Sequence, residues 1–177
     1  RFDGKTHYEE GQVQKDGETI WHGPSVPYVV PTKSFLEYLK SHIKIAINEG
    51  VQGIHLEEPE FWNRAGYSEG FKKEWQEYYG ESWQAQHESP AATYRSNKLK
   101  YYLYTRALTE LIQFTKEYAK QQGKTIPCYV PTHSLINYSI WNIVSPEASL
   151  ALIPGLDGYI GQVWTGTSRT PTIYRGV

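Results

Sequence analysis

Val51-Gln52-Gly53-Ile54-His55-Leu56-Glu57-Glu58-Pro59-Glu60-Phe61-Trp62 is the stretch that decides how this chain is read. A short apolar run, Val51 to Leu56, starts sharply after Gly50 and ends in three carboxylates wrapped around Pro59 and followed by two aromatics. Its length and abrupt start read as a buried parallel strand. Proline cannot continue a sheet ladder, so the strand is expected to stop at Pro59. Carboxylates at the C-terminal end of a parallel strand sit where α/β barrels and open α/β sheets build their sites. A solvated acidic loop would account for Glu57, Glu58 and Glu60. Phe61 and Trp62 beside them point instead to a shaped cleft.

Working outward, Val26 to Val30 is a short β-branched run ended by Pro31, a second strand candidate. Thr32 reads as the N-cap of a helix whose Phe35, Leu36, Leu39, Ile43, Ala46 and Ile47 recur at helical spacing, closed by Gly50. Ser68 caps a second helix over 69–79, stopped at Gly80, and residues 81–95 read as irregular. A long helix over 95–122 carries the stripe Leu99, Leu103, Ala107, Leu111, Phe114 and Tyr118, and Gly123 ends it. Thr125 to Val130 is strand-like and is expected to be cut off by Pro131. After an aromatic, polar loop, Ser145-Pro146-Glu147 opens a short helix and Asp157 to Trp164 forms a further strand. Residues 1–25 read as a loop-rich lead-in with a small hairpin near Lys15-Asp16-Gly17-Glu18.

Alternation of this kind argues for a parallel sheet with helices packed outside it. Right-handed crossovers would then gather the strand C-termini on one side. The expected fold is α/β, a parallel (β/α) barrel that is an incomplete TIM barrel of about strands 3 to 6. Residues 1–177 would be an internal portion of a single (β/α)8 catalytic domain. An open doubly wound sheet is the alternative, but no Gly-rich phosphate turn follows the first strand. The near miss at Gly161–Ser168 has Thr167 where a phosphate-binding lysine must stand.

Composition narrows the function classes. The 177 residues carry 18 basic and 19 acidic side chains, a formal charge of −1, with no basic stripe interleaved with aromatics for nucleic acid. No apolar run approaches the roughly 20 residues of a membrane span. A single cysteine, Cys128, excludes an internal disulfide. The start at Arg1 and the absence of methionine read as a piece of a larger protein. Tyr and Trp, at 15 and 6, far outnumber the 5 Phe, a bias that suits sugar-binding surfaces and equally suits cores and interfaces.

Glycoside hydrolysis needs a proton donor to the leaving oxygen and a second carboxylate as nucleophile or base. Glu57 and Glu58 are adjacent and would point to opposite faces of a persisting strand, so the catalytic pair is expected to draw one member from elsewhere. Glu57-Glu58-Pro59 resembles the Asn-Glu-Pro motif of barrel glycosidases of the β-galactosidase-like clan, which ends their fourth strand. The resemblance implies that Glu58 is the general acid/base and that Glu57 stands where the clan's asparagine binds the sugar 2-hydroxyl. It also implies a nucleophile on a later strand, outside this chain. A carboxylate at position 57 would raise the pKa of its neighbour by like-charge repulsion, which favours an acid role.

The candidate catalytic residues are therefore Glu58, Glu57 and Glu60, and the candidate substrate-binding residues are His133, Trp164, Gln162, Trp62 and Trp141. His55 is expected in the core or behind the site. Arg64 and Arg169 are candidates to pair with the glutamates, or simply surface residues. No His-x-x-x-His or Cys/His set points to zinc, so no metal and no cofactor is expected. The leading reading is a glycoside hydrolase. A non-catalytic carbohydrate-binding barrel and a metal-dependent barrel hydrolase are the alternatives. Expected partners are a carbohydrate substrate and the remainder of the parent domain, with no nucleic acid and no membrane. A secreted or periplasmic location would fit a polysaccharide-degrading role. Asn137-Tyr138-Ser139 also matches a glycosylation acceptor.

Overall fold

The computed structural model describes residues 4–133 and 140–162. Thr32 caps the first helix, α1 (Lys33–Asn48), its side chain accepting from the Phe35 N–H. Leu36, Ile43 and Ile47 form the buried stripe of α1, and Gly50 leaves the helix at φ +92°. Val51 N–H still bonds back to the Ala46 carbonyl. That contact delays the expected strand, and only Ile54–His55 (β3) adopts strand geometry. The ladder nonetheless continues: the N–H groups of Ile54, Leu56 and Glu58 donate to the carbonyls of Pro127, Tyr129 and Pro131, each at 2.9 Å.

The antiparallel pair β1 (Trp21–Gly23) and β2 (Val26–Pro27) precedes α1, and β4 (Phe61–Trp62) follows β3. Next come α2 (Glu69–Tyr79), α3 (Pro90–Gln121), β5 (Cys128–His133), β6 (Ile143–Val144) and β7 (Gly158–Gln162). Ser68 caps α2, and Ser89 with Pro90 starts α3 five residues before the periodicity announces it. The 3-10 turn at Glu147–Leu152 takes the place of the short helix expected after Pro146.

The parallel sheet has three strands in the order β3-β5-β7. α1 and α3 pack on the face that carries Ile54, Cys128 and Val130, with Leu108, Leu111 and Ile112 at its centre. A second core gathers Phe61, Phe71, Trp75, Leu99 and Leu103 between α2, β4 and the first half of α3. β5 runs through Pro131 instead of stopping before it. The carbonyls of Tyr129 and Pro131 face β3, so the N–H that proline lacks falls at the last rungs of that ladder.

This architecture overturns the barrel expectation. An incomplete barrel of about four consecutive strands would pair all of them in parallel, whereas only β3, β5 and β7 do so among the described residues. The segment at 26–30, counted as a barrel strand, is a short antiparallel arm pairing with β1. Phe61 and Trp62, expected in a loop, pair antiparallel with Val144 and Ile143. Among the described residues the fold is mixed α/β: a three-stranded parallel sheet with two small antiparallel ribbons. No helix among the described residues is long and apolar enough to cross a membrane.

The lead-in is bound to the rest of the chain. It turns at the expected hairpin, where Gln14 N–H reaches the Glu18 carbonyl at 3.0 Å and Val13 bridges to Thr19. Gln12 is fully buried.

Candidate functional site

The site forms where the C-terminal ends of β3 and β5 lie side by side. Strand parity alone would not build it. Ile54 pairs with Cys128 and His55 with Tyr129, so odd-numbered residues of both strands share the face away from α1 and α3. His133 ends β5 on that face. Continued regularly, β3 would send Glu57 there and Glu58 toward the helices. Glu58 instead adopts φ +51°, a left-handed conformation rare for a residue with a side chain. The turn brings Glu58 Oε1 to 2.8 Å from His133 Nε2. Pro59 is buried behind the turn, and Glu60 Oε1 reaches 3.1 Å from the same nitrogen.

One imidazole thus stands between two carboxylates of different character. The Glu58 side chain is 28% exposed and that of Glu60 only 4%. Burial pushes the Glu60 carboxyl up to about 7, and the nearby carboxylates of Glu58 and Glu147 push the same way. Glu60 is therefore a buried acid that holds its proton near neutrality. Burial, and then the Glu60 charge, also raise the phenols of Tyr28 and Tyr104.

Gln12 fixes the backbone of this segment. Its Nε2 donates to the carbonyls of Glu60 and Val29, both at 3.0 Å, and its Oε1 accepts from the Trp62 N–H at 3.0 Å. A side-chain amide here takes the place of a strand on the edge of β4 opposite β6. Beside the glutamates opens a cleft of about 420 Å³, with Glu57, Glu58, Glu60, Tyr28 and Tyr104 at its polar end and Leu56 on its apolar wall.

The structure therefore brings Glu58, Glu60 and His133 together. Trp141 joins them, its exposed ring standing edge-on to His133 at 5.0 Å. Glu57 lines the cleft without joining the imidazole pair, and its side chain is exposed. Trp62 is half-buried, with Tyr28 against its edge at 5.5 Å and the Arg64 guanidinium over its face at 4.2 Å, so that face is already taken. Gln162 pairs with His133 across the β5–β7 ladder and so shares the same end of the sheet. Trp164, Arg169, the rest of the Gly161–Ser168 run and Asn137-Tyr138-Ser139 lie outside the described residues. His55, expected in the core, is exposed and packs edge-on to Tyr129 at 5.5 Å. Arg64 bonds Gln14 and covers Trp62, away from the role of partner to the glutamates.

Sequence reasoning missed Gln12, Tyr28, Tyr104 and Glu147. Gln12 sits in a polar stretch with no periodicity. The tyrosines lie on elements read as a strand and a long helix, where an aromatic is ordinary. Chemically, the buried Glu60 carboxyl can hold a proton near neutrality, and the arrangement presents the Glu58 carboxylate to the cleft. No family model, curated protein or solved structure matches this chain.

Proposed function

We propose that the protein is a glycoside hydrolase in which Glu58 is the general acid/base. The observation that carries this reading is the backbone turn at Glu58. A left-handed φ on a glutamate is strained, and such strain concentrates at functional sites, where surrounding structure holds a side chain in one direction. Here the direction serves chemistry: Glu58 is partly exposed at the cleft and is held by His133. A proton donor must be solvent-reachable and oriented, and Glu58 meets both requirements.

Glu60 does not serve as the second carboxylate. The two carboxylates of a glycosidase flank the scissile bond from opposite sides of the sugar. Glu58 and Glu60 touch the same imidazole nitrogen, so they stand on one side. In this reading His133 orients Glu58, Glu60 stands behind it as a buried acid, and the nucleophile or water-activating base comes from another element. The resemblance of Glu57-Glu58-Pro59 to the glycosidase motif supports the same assignment.

The test is Glu58→Gln in the intact protein. Loss of general acid catalysis is expected to lower glycoside kcat/KM by roughly 10²–10⁴-fold, with the circular dichroism spectrum unchanged. Turnover at the wild-type rate in that variant would remove Glu58 from the mechanism.

A further inference from the structure

We propose that Glu58, Glu60 and His133 together bind a divalent transition-metal ion. Their three ligand atoms, two carboxylate oxygens and one imidazole nitrogen, all lie within 4.8 Å of one another. The nitrogen is 2.8 Å from the Glu58 oxygen and 3.1 Å from the Glu60 oxygen. Metal–ligand bonds of about 2.0–2.2 Å place neighbouring ligand atoms about 3 Å apart. Both carboxylate oxygens therefore already stand from the imidazole nitrogen at about the separation that one ion would impose, and they lie within 4.8 Å of each other.

A second observation points to a ligand independently of the cluster. Glu60 is nearly sealed from solvent, yet its Oε1 makes no aligned hydrogen bond. The contact with His133 Nε2 is close but poorly directed. A buried carboxyl oxygen left in that condition is unfavourable unless a partner completes it. The Glu58 and Glu147 carboxylates add negative charge at the same place.

The ligands are held by rigid neighbours. Glu58 is fixed by its N–H to the Pro131 carbonyl, Glu60 by the Gln12 amide on its own carbonyl, and His133 by the β5–β7 ladder. Three protein ligands, with Glu58 at the cleft mouth, leave coordination positions open to a small molecule, the pattern of reactive sites rather than closed structural ones. An imidazole beside two carboxylates suits zinc, cobalt, manganese or iron better than calcium or magnesium.

The proposal goes beyond the glycosidase reading and does not rest on it. A bound ion would take the Glu58 oxygen that donates the proton, so metal occupancy and proton donation exclude one another at that carboxylate. The test needs no substrate. The intact protein, dialysed against chelator, is titrated with cobalt(II) by calorimetry and visible absorption. One ion per chain is expected, with affinity falling by at least about 100-fold in Glu60→Gln and in His133→Asn. His55→Asn, which removes the exposed histidine of β3, should leave it unchanged. Absence of binding, or binding that survives both ligand substitutions, would overturn the proposal. Should His133→Asn fail to fold, a hyperfine-shifted imidazole N–H in the wild-type cobalt spectrum decides the matter, and its absence counts against the site. Because binding is read without turnover, its failure leaves the hydrolase reading untouched, and a failed Glu58→Gln test leaves the metal site untouched.

Discussion

Glu60 and Gln12 show how single side chains complete a site at the edge of a sheet. The Glu60 carboxyl, raised by burial to about 7 against an ordinary 4.5, binds its proton more tightly in the folded chain than in the unfolded one. Between those values the native state carries the extra proton, so this group's contribution is fully present below about pH 4.5 and is lost as pH rises through 7. Chemical denaturation across that range should show wild type losing about 2–3 kcal/mol relative to Glu60→Gln, whose amide does not titrate. Parallel pH profiles for the two proteins would contradict the assignment. Gln12 satisfies two carbonyls and one N–H that have no strand neighbour. Gln12→Ala should therefore destabilise by about 3 kcal/mol in urea, far more than an ordinary change in a polar lead-in, because it strands buried backbone groups. At this scale the sequence was partly legible. Glu58 and Glu60 announced themselves by clustering after an apolar run, and His133 by following a strand. The meeting of all three depends on the φ of Glu58, which no residue type at that position signals: glycine or asparagine would, glutamate does not.

The elements follow local chemistry where caps and periodicity are strong. Thr32 and Ser68 cap their helices through side-chain oxygens, and Gly80 leaves α2 in a left-handed turn, all as the residue types predict. Strands were harder to read, because two-residue strands such as β3 and β4 carry too little periodicity to separate ladder from bend. The hidden polar contacts of the helices were also illegible. Lys100 lies fully buried in the stripe of α3, its ammonium donating to the Asn63 carbonyl at 2.7 Å and to Gln86 Oε1 at 2.8 Å. Arg106 clamps both oxygens of the buried Glu74 at 2.8 and 2.9 Å and also reaches the Pro31 carbonyl at 2.9 Å. That fork joins α2, α3 and the approach to α1. Arg106→Leu leaves the Glu74 charge buried and unpaired and should cost about 3–5 kcal/mol. The double variant with Glu74→Leu should recover a large part of it, since the stranded charge is gone. Equal stability of the single and double variants would show that the fork carries little coupling.

For the whole molecule, α3 decides how the parts behave together. Its 32 residues span about 48 Å. Leu99 and Leu103 belong to the core around Trp75, and Ala107 to Ala119 to the core beneath the parallel sheet. One helix crossing both cores should make them melt together. Thermal unfolding followed by tryptophan fluorescence, weighted toward Trp75, and by far-UV circular dichroism should give coincident midpoints, and separated midpoints would contradict this coupling. The strand–helix alternation did announce a parallel sheet, and β3-β5-β7 is one. It could not announce how many strands close on one another, because pairing is set by contacts distant in sequence. The β-branched run at 26–30 looked like a sheet strand and instead turned back on β1.

The central claim is that Glu58 transfers a proton to a leaving oxygen. The most direct measurement compares Glu58→Gln with wild type on two glycosides of one sugar in the intact protein, one releasing an alkoxide and one a stabilised nitrophenolate. Proton donation matters greatly to the first leaving group and little to the second. The account predicts a loss of roughly 10²–10⁴-fold for the alkyl glycoside and a far smaller loss for the nitrophenyl one during bond cleavage. An equal loss on both substrates, or none on either, would contradict it.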